Sequence, residues 1–328
     1  MKNIQADIKS GNFKQVYLLY GEEAYLKQQY KQNLVKALNP DGDTMNFNHY
    51  EGKGIDVKQL IDLCETMPFF AERRVVLLED TGFFKNKCEE LADYMKELPD
   101  HLYLVFAETE VDKRNRMYKA VKACGSIAEF IRQDEKTLMR WAAGILGKAG
   151  KKITQRDMEL LLTKTGTDMG NLRMEMEKLI SYTEGRDVVT AEDIEEICTT
   201  QTTNRIFDMV RAVTEKNQKR ALELYYDLLT LKEPPMRILF LLAKQYRQLL
   251  LAKQFAAAGL AQTEIASKLG VPGFVVRNIT TCARAYTISE LEQAVKDFVD
   301  AEESVKTGRL EDKLSVELLI IKYSSKVK

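Results

Sequence analysis

The chain has 328 residues, 45% of them apolar, and carries 49 basic against 49 acidic side chains, so its formal net charge is zero. That length leaves room for two or three domains with real cores, and six prolines and 17 glycines are too few for long unstructured linkers. Five scattered cysteines (Cys64, Cys88, Cys124, Cys198 and Cys282) form no CxxC pair, which argues against a zinc ribbon or a disulfide framework and for free thiols in the cytoplasm.

The opening MKNIQADIKSGNFK lacks the apolar core of a signal peptide. The densest apolar stretch, 236–243, contains Arg237 and falls short of a membrane span, so no membrane partner is expected. Two histidines, His49 and His101, are too few and too scattered for a metal site, and no cofactor is expected. Charge is uneven along the chain. Residues 202–328 carry 20 basic against 15 acidic side chains, which permits a phosphate-facing surface without demanding one.

In chain order, VYLLYG (16–21) reads as an apolar strand. Residues 23–39 place Leu26, Tyr30, Leu34 and Leu38 on one helical stripe. MNFNHYEG (45–52) alternates as a strand, with Met45, Phe47 and His49 on one side and Asn46 and Asn48 on the other. VKQLIDLCETMP (57–68) is a helix closed by Pro68, and RVVLLED (74–80) a buried strand. Helix 87–98, strand 102–108, helix 112–124 and strand 125–131 follow. Apolar strands separated by helices predict a largely parallel sheet covered on both faces. After Asp134 the strands are expected to stop. About four helices read as a small helical domain, and the helices from Asn204 onward read as a bundle.

This layout invites a nucleotide-binding ATPase, but the phosphate loop GxxxxGK[ST] is absent. The first strand is followed by Gly21-Glu22-Glu23, which supplies negative charge where a triphosphate would sit. Glu79–Asp80 resembles a magnesium-holding pair with no phosphate cradle to serve. No Ser/His/Asp or Cys/His constellation can be assembled, so no catalytic residue is expected. QTEIASKLGVPGFVVRNITTCA (262–283) has the outline of a helix-turn-helix, yet PGFVV is too apolar to read base edges, and two packed helices of a bundle are expected. Phe69 and Phe70 stand just before a strand. The residues alone leave two readings: one ring packed beneath the helix and the other on a loop, or both held out for a partner.

Taken together, VYLLYGEEAYL, FFAERRVVLLED, VFAETEVDKRNRMYKAV, GNLRMEMEKL and VKTGRLEDKLSVELLIIKY, in this order, resemble the delta subunit of the bacterial DNA polymerase III clamp loader. The resemblance spans essentially the whole chain. It implies an AAA+-like α/β domain without a phosphate loop (1–136), a small helical lid (137–203) and an all-α collar (204–328). It implies a subunit without ATP hydrolysis of its own that binds the sliding clamp (the beta subunit) and opens the ring for loading onto primed DNA. The motor and delta-prime subunits would be its neighbours in a five-membered ring. Sister subunits carry a Ser-Arg-Cys arginine finger and usually a zinc-binding cysteine cluster, and this sequence has neither. The family's clamp-contacting hydrophobic pair, commonly Leu-Phe, falls on Phe69 and Phe70, with Met67 and Arg73 flanking it. Lys244, Arg247 and Lys253, on the polar face of the long collar helix, are candidate DNA contacts. The rival expectations are an active AAA+ ATPase and a helix-turn-helix regulator.

Overall fold

The computed structural model describes residues 2–199 and 202–325. The chain divides into two compact units, residues 1–133 and 134–328.

The first unit is α1 (Lys2–Ser10), β1 (Val16–Tyr20), α2 (Ala24–Leu38), β2 (Phe47–Glu51), α3 (Val57–Glu65), β3 (Arg74–Glu79), α4 (Glu89–Tyr94), β4 (Leu102–Glu108), α5 (Arg116–Cys124) and β5 (Ser126–Glu129). Its five strands are all parallel, in the order β2-β3-β4-β1-β5. Because side chains alternate along a strand, residue parity sorts the two faces. Val16, Leu18, Tyr20, Val76, Leu78, Leu104 and Phe106 meet Leu60 and Cys64 of α3, Leu91 and Ala92 of α4, and Met117 and Val121 of α5. Tyr17, Leu19, Val75, Leu77 and Val105 meet Ile4 of α1 and Leu34 and Leu38 of α2. The central strands are therefore apolar throughout, as expected of a sheet buried on both sides.

Three differences from the sequence reading have local causes. Helix α1 was not anticipated: Ile4 and Ile8, one turn apart, pack beneath the sheet, and Asp7 accepts a 2.9 Å bond from the Tyr17 hydroxyl. Helix α5 begins at Arg116 rather than at 112. Asp112 accepts from the Arg114 N–H to make a turn, and Asn115 then caps the helix through the Met117 N–H. Met45 lies ahead of β2 and is exposed, whereas Asn46, placed on the polar side by simple alternation, is buried.

The second unit holds two buried clusters. The first is built from α6 (Glu135–Lys148), α7 (Gln155–Thr165), α8 (Met169–Tyr182) and α9 (Ala191–Ile197), around Leu146, Leu161, Leu172, Met176 and Leu179. Strands do not stop at Asp134: β6 (Lys152–Ile153) and β7 (Val188–Val189) form a two-residue parallel ladder. A stretch so short carries no readable period. The second cluster involves α10 (Thr202–Thr214), α11 (Gln218–Thr230), α12 (Pro235–Ala257), α13 (Gln262–Leu269), α14 (Gly273–Ala283), α15 (Ile288–Lys306) and α16 (Asp312–Ser324). Helix α12 runs through its middle. Tyr246, the Tyr286 hydroxyl 3.1 Å away, Phe298 and Tyr323 form an aromatic centre.

Candidate protein-docking site

Asp56 starts α3 by accepting from the N–H groups of Lys58 and Gln59, and the helix stops at Glu65, ahead of Pro68. The segment between α3 and β3 must then satisfy its own backbone groups. Two buried side chains do this. The Arg74 guanidinium donates to the carbonyls of Thr66 (3.1 Å) and Met67 (3.2 Å) and to Asn48 Oδ1 (3.2 Å). Asn46 reaches across from the approach to β2. Its Oδ1 accepts from the Phe69 N–H at 2.6 Å, and its Nδ2 donates to the Phe69 carbonyl at 2.8 Å and to Asp43 Oδ2 at 2.5 Å.

On this frame stand the two phenylalanines. Phe69 is 56% and Phe70 95% exposed, with ring centroids 4.5 Å apart and planes at 82°, an edge-to-face pair. Neither ring is packed beneath a helix. Phe70 has φ +49°, a left-handed conformation that costs a bulky side chain about 1 kcal/mol or more and persists only where the surroundings impose it. Met67 is 75% and Met45 64% exposed, so four large apolar side chains of neighbouring segments face solvent. Arg73 lies half-buried, its guanidinium 5.2 Å from the Phe13 ring centre and 5.4 Å from that of Tyr103. That stacking anchors it to rings of its own unit.

At the carboxyl ends of the parallel strands, where open α/β sheets bind ligands, the charged side chains are engaged by internal ion pairs and hydrogen bonds. Lys31 meets Glu79 at 2.6 Å, and His49 Nε2 lies 2.9 Å from the other Glu79 oxygen. Asp80 accepts from the N–H and hydroxyl of Thr109, and Glu108 from those of Thr81. Lys27 donates to the Glu108 carbonyl at 2.9 Å. Burial pulls the Lys27 ammonium below its usual range, against the neighbouring carboxylates, and pushes the Glu108 carboxyl up despite its Thr81 bonds. Glu23, which precedes α2 and supplies negative charge there, is buried. Its N–H donates to the Phe130 carbonyl.

In the helical unit, Lys244 and Arg247 are exposed on α12, whereas the Lys253 ammonium donates to the Ala283 carbonyl at the end of α14. Lys253 thus satisfies a helix C-terminus. The 262–283 pair places Ile265, Val276, Ile279 and Cys282 in the core, and Arg277 lies 3.7 Å from Glu159. The two helices are packed as parts of a bundle. Among the described residues no cluster of three or more metal-ligating side chains occurs, and no helix is long and apolar enough to cross a membrane.

Residues 17–130 match the family described as DNA polymerase III, delta subunit, and residues 203–323 match its C-terminal domain, so the two matches span well over half of the chain. The chain belongs to the DNA polymerase III delta-subunit family. The DNA polymerase III subunit delta of Bacillus subtilis is 26% identical over 97% of this chain and 95% of its own length. The probable DNA polymerase III subunit delta of Aquifex aeolicus is 21% identical over 78% and 75%. Among solved structures, the DNA clamp loader delta protein of Bacillus subtilis superposes with a TM-score of 0.68 at 23% identity, covering 99% of both chains. The fold of this delta-family chain is accordingly that of the clamp-loader delta protein. Sequence reasoning singled out the phenylalanines, but not the exposed Met45 or Asn46, whose amide holds the Phe69 backbone.

Proposed function

We propose that this DNA polymerase III delta subunit binds a ring-shaped sliding clamp through Phe69 and Phe70, with Met67 beside them, and opens the ring without hydrolysing ATP. The observation that carries the reading is the exposure of two adjacent aromatic rings on a segment whose backbone is otherwise tied down. Large exposed apolar groups on a fixed frame suit insertion into an apolar pocket, because little ordering cost remains at binding. Two such rings bury roughly 300 Å², worth about 7 kcal/mol before the costs of association. That is enough to favour an opened ring with no covalent chemistry. The paired charges at the sheet's carboxyl end support a subunit without a nucleotide of its own, since a triphosphate would have to displace Glu79 and Glu108 from their partners.

The reading extends to the assembly: motor and delta-prime subunits as neighbours in a five-membered ring, an α/β domain (1–136), a lid (137–203) and a collar (204–328), and primed DNA contacted through Lys244 and Arg247. Arg73 contributes to the contact only as the residue behind the pair.

Phe69→Ala combined with Phe70→Ala tests the central claim. Capture of the purified sliding clamp by the full chain is expected to weaken at least 100-fold, the scale of a double hot-spot loss. Stability in urea should change by no more than about 0.5 kcal/mol, as for exposed positions. Retained clamp capture together with a large loss of stability would sink the reading and make the rings core residues.

A further inference from the structure

We infer that Asn46 is a positioning residue for clamp binding: its side chain holds Phe69 by both backbone groups and so presets the Phe69–Phe70 pair before the clamp arrives. This rests on the clamp-binding reading above.

Asn46 is only 4% exposed, and its amide satisfies the Phe69 N–H and carbonyl together. That is the pattern one residue of a neighbouring strand would make, supplied here by a side chain. Only an amide has both an acceptor and a donor in that geometry. A carboxylate lacks the donor, and an aliphatic side chain lacks both. The second Nδ2 proton goes to Asp43, which also accepts from the Met45 N–H, so the amide's own orientation is fixed. Arg74 holds the preceding carbonyls of Thr66 and Met67. The segment is therefore pinned on the near side of Phe70, and the next residue adopts φ +49° with its ring in solvent. An unfavourable backbone held by buried polar bonds, carrying two rings largely in solvent, is arranged for a partner. Asn46 acts through Phe69 and need not touch the clamp.

The experiment compares the full-length wild type, Asn46→Ala, Asn46→Asp and the Phe69→Ala/Phe70→Ala pair, using clamp affinity and hydrogen exchange of the Phe69 amide. In the wild type that amide is expected to exchange far more slowly than an unprotected loop amide. Asn46→Ala should speed it and weaken clamp binding about tenfold with both rings present. Asn46→Asp, which keeps an acceptor for the N–H but sets an oxygen against Asp43 and the Phe69 carbonyl, should bind no better than Asn46→Ala. Adding Asn46→Ala to the double phenylalanine variant should cause no further loss, because the residue acts only through the rings. If the phenylalanine pair is needed for binding but Asn46→Ala binds like the wild type, the positioning role is overturned and the clamp contact stands. If the phenylalanine pair is itself dispensable, the contact falls and the positioning role with it. Should Asn46→Ala fail to fold, exchange in the unaltered protein decides: a Phe69 amide as fast as free loop overturns the role.

Discussion

At Gly21 the backbone turns with φ +124°, and a Cβ there would collide with the Phe130 carbonyl. The sequence marks this glycine only as the end of a strand. Its necessity comes from the close approach of residue 130, which accepts from the Glu23 N–H while its own N–H donates to Tyr20. Gly21→Ala is expected to destabilise the chain by about 2 kcal/mol or more in urea unfolding, from strain and collision together. At Phe69 and Phe70 the residues alone left two readings open. Exposure excludes a ring packed beneath the helix, and the Phe69 backbone is bonded to Asn46, 23 positions away. Arg73 looks like a flanking surface charge in sequence, but the rings beneath it, Phe13 and Tyr103, come from distant segments.

Elements were legible wherever they were long and periodic. Strands β1, β3 and β4 and helix α2 lie within a few residues of their expected bounds, because an apolar run or a 3.6-residue stripe states its own period. Starts decided by capping were harder: α5 begins at Arg116, where Asn115 caps it, and not at 112. Helix α9 was legible as a helix; Thr190 and Asp193 close its start in a reciprocal capping box, and Arg186 donates to Asp193 at 2.9 Å. Burial pushes the Asp193 carboxyl up, but the bonds from the Thr190 N–H, Arg186 and the Thr190 hydroxyl outweigh it and hold it below the ordinary value of 3.8. A carboxyl depressed in the folded state contributes stability that is present above pH 3.8 and lost as the pH falls through its lower folded value. Asp193→Asn should therefore cost about 1 kcal/mol at neutral pH, with the difference from wild type vanishing in strong acid. Urea titrations across that range check it.

For the whole molecule, the exposed Lys244 and Arg247 on α12 carry the proposed contact to primed DNA, while Lys253 is engaged by Ala283. Lys244→Glu with Arg247→Glu should weaken sequence-blind binding of primed DNA by the assembled loader and lower the salt dependence, the log–log slope dropping by about 2. An unchanged slope would remove both residues from the interface. Local period and residue type alone carried the parallel α/β unit, the mostly helical remainder apart from the β6–β7 ladder, the missing phosphate loop and the ordered segments that resemble the delta family. Only the tertiary structure decided which charges are paired across the sheet's carboxyl end, which lysine is tied to a helix terminus, and that Asn46 meets Phe69. Those are contacts between residues far apart in the chain, and no local pattern encodes which distant group will satisfy a buried hydrogen bond.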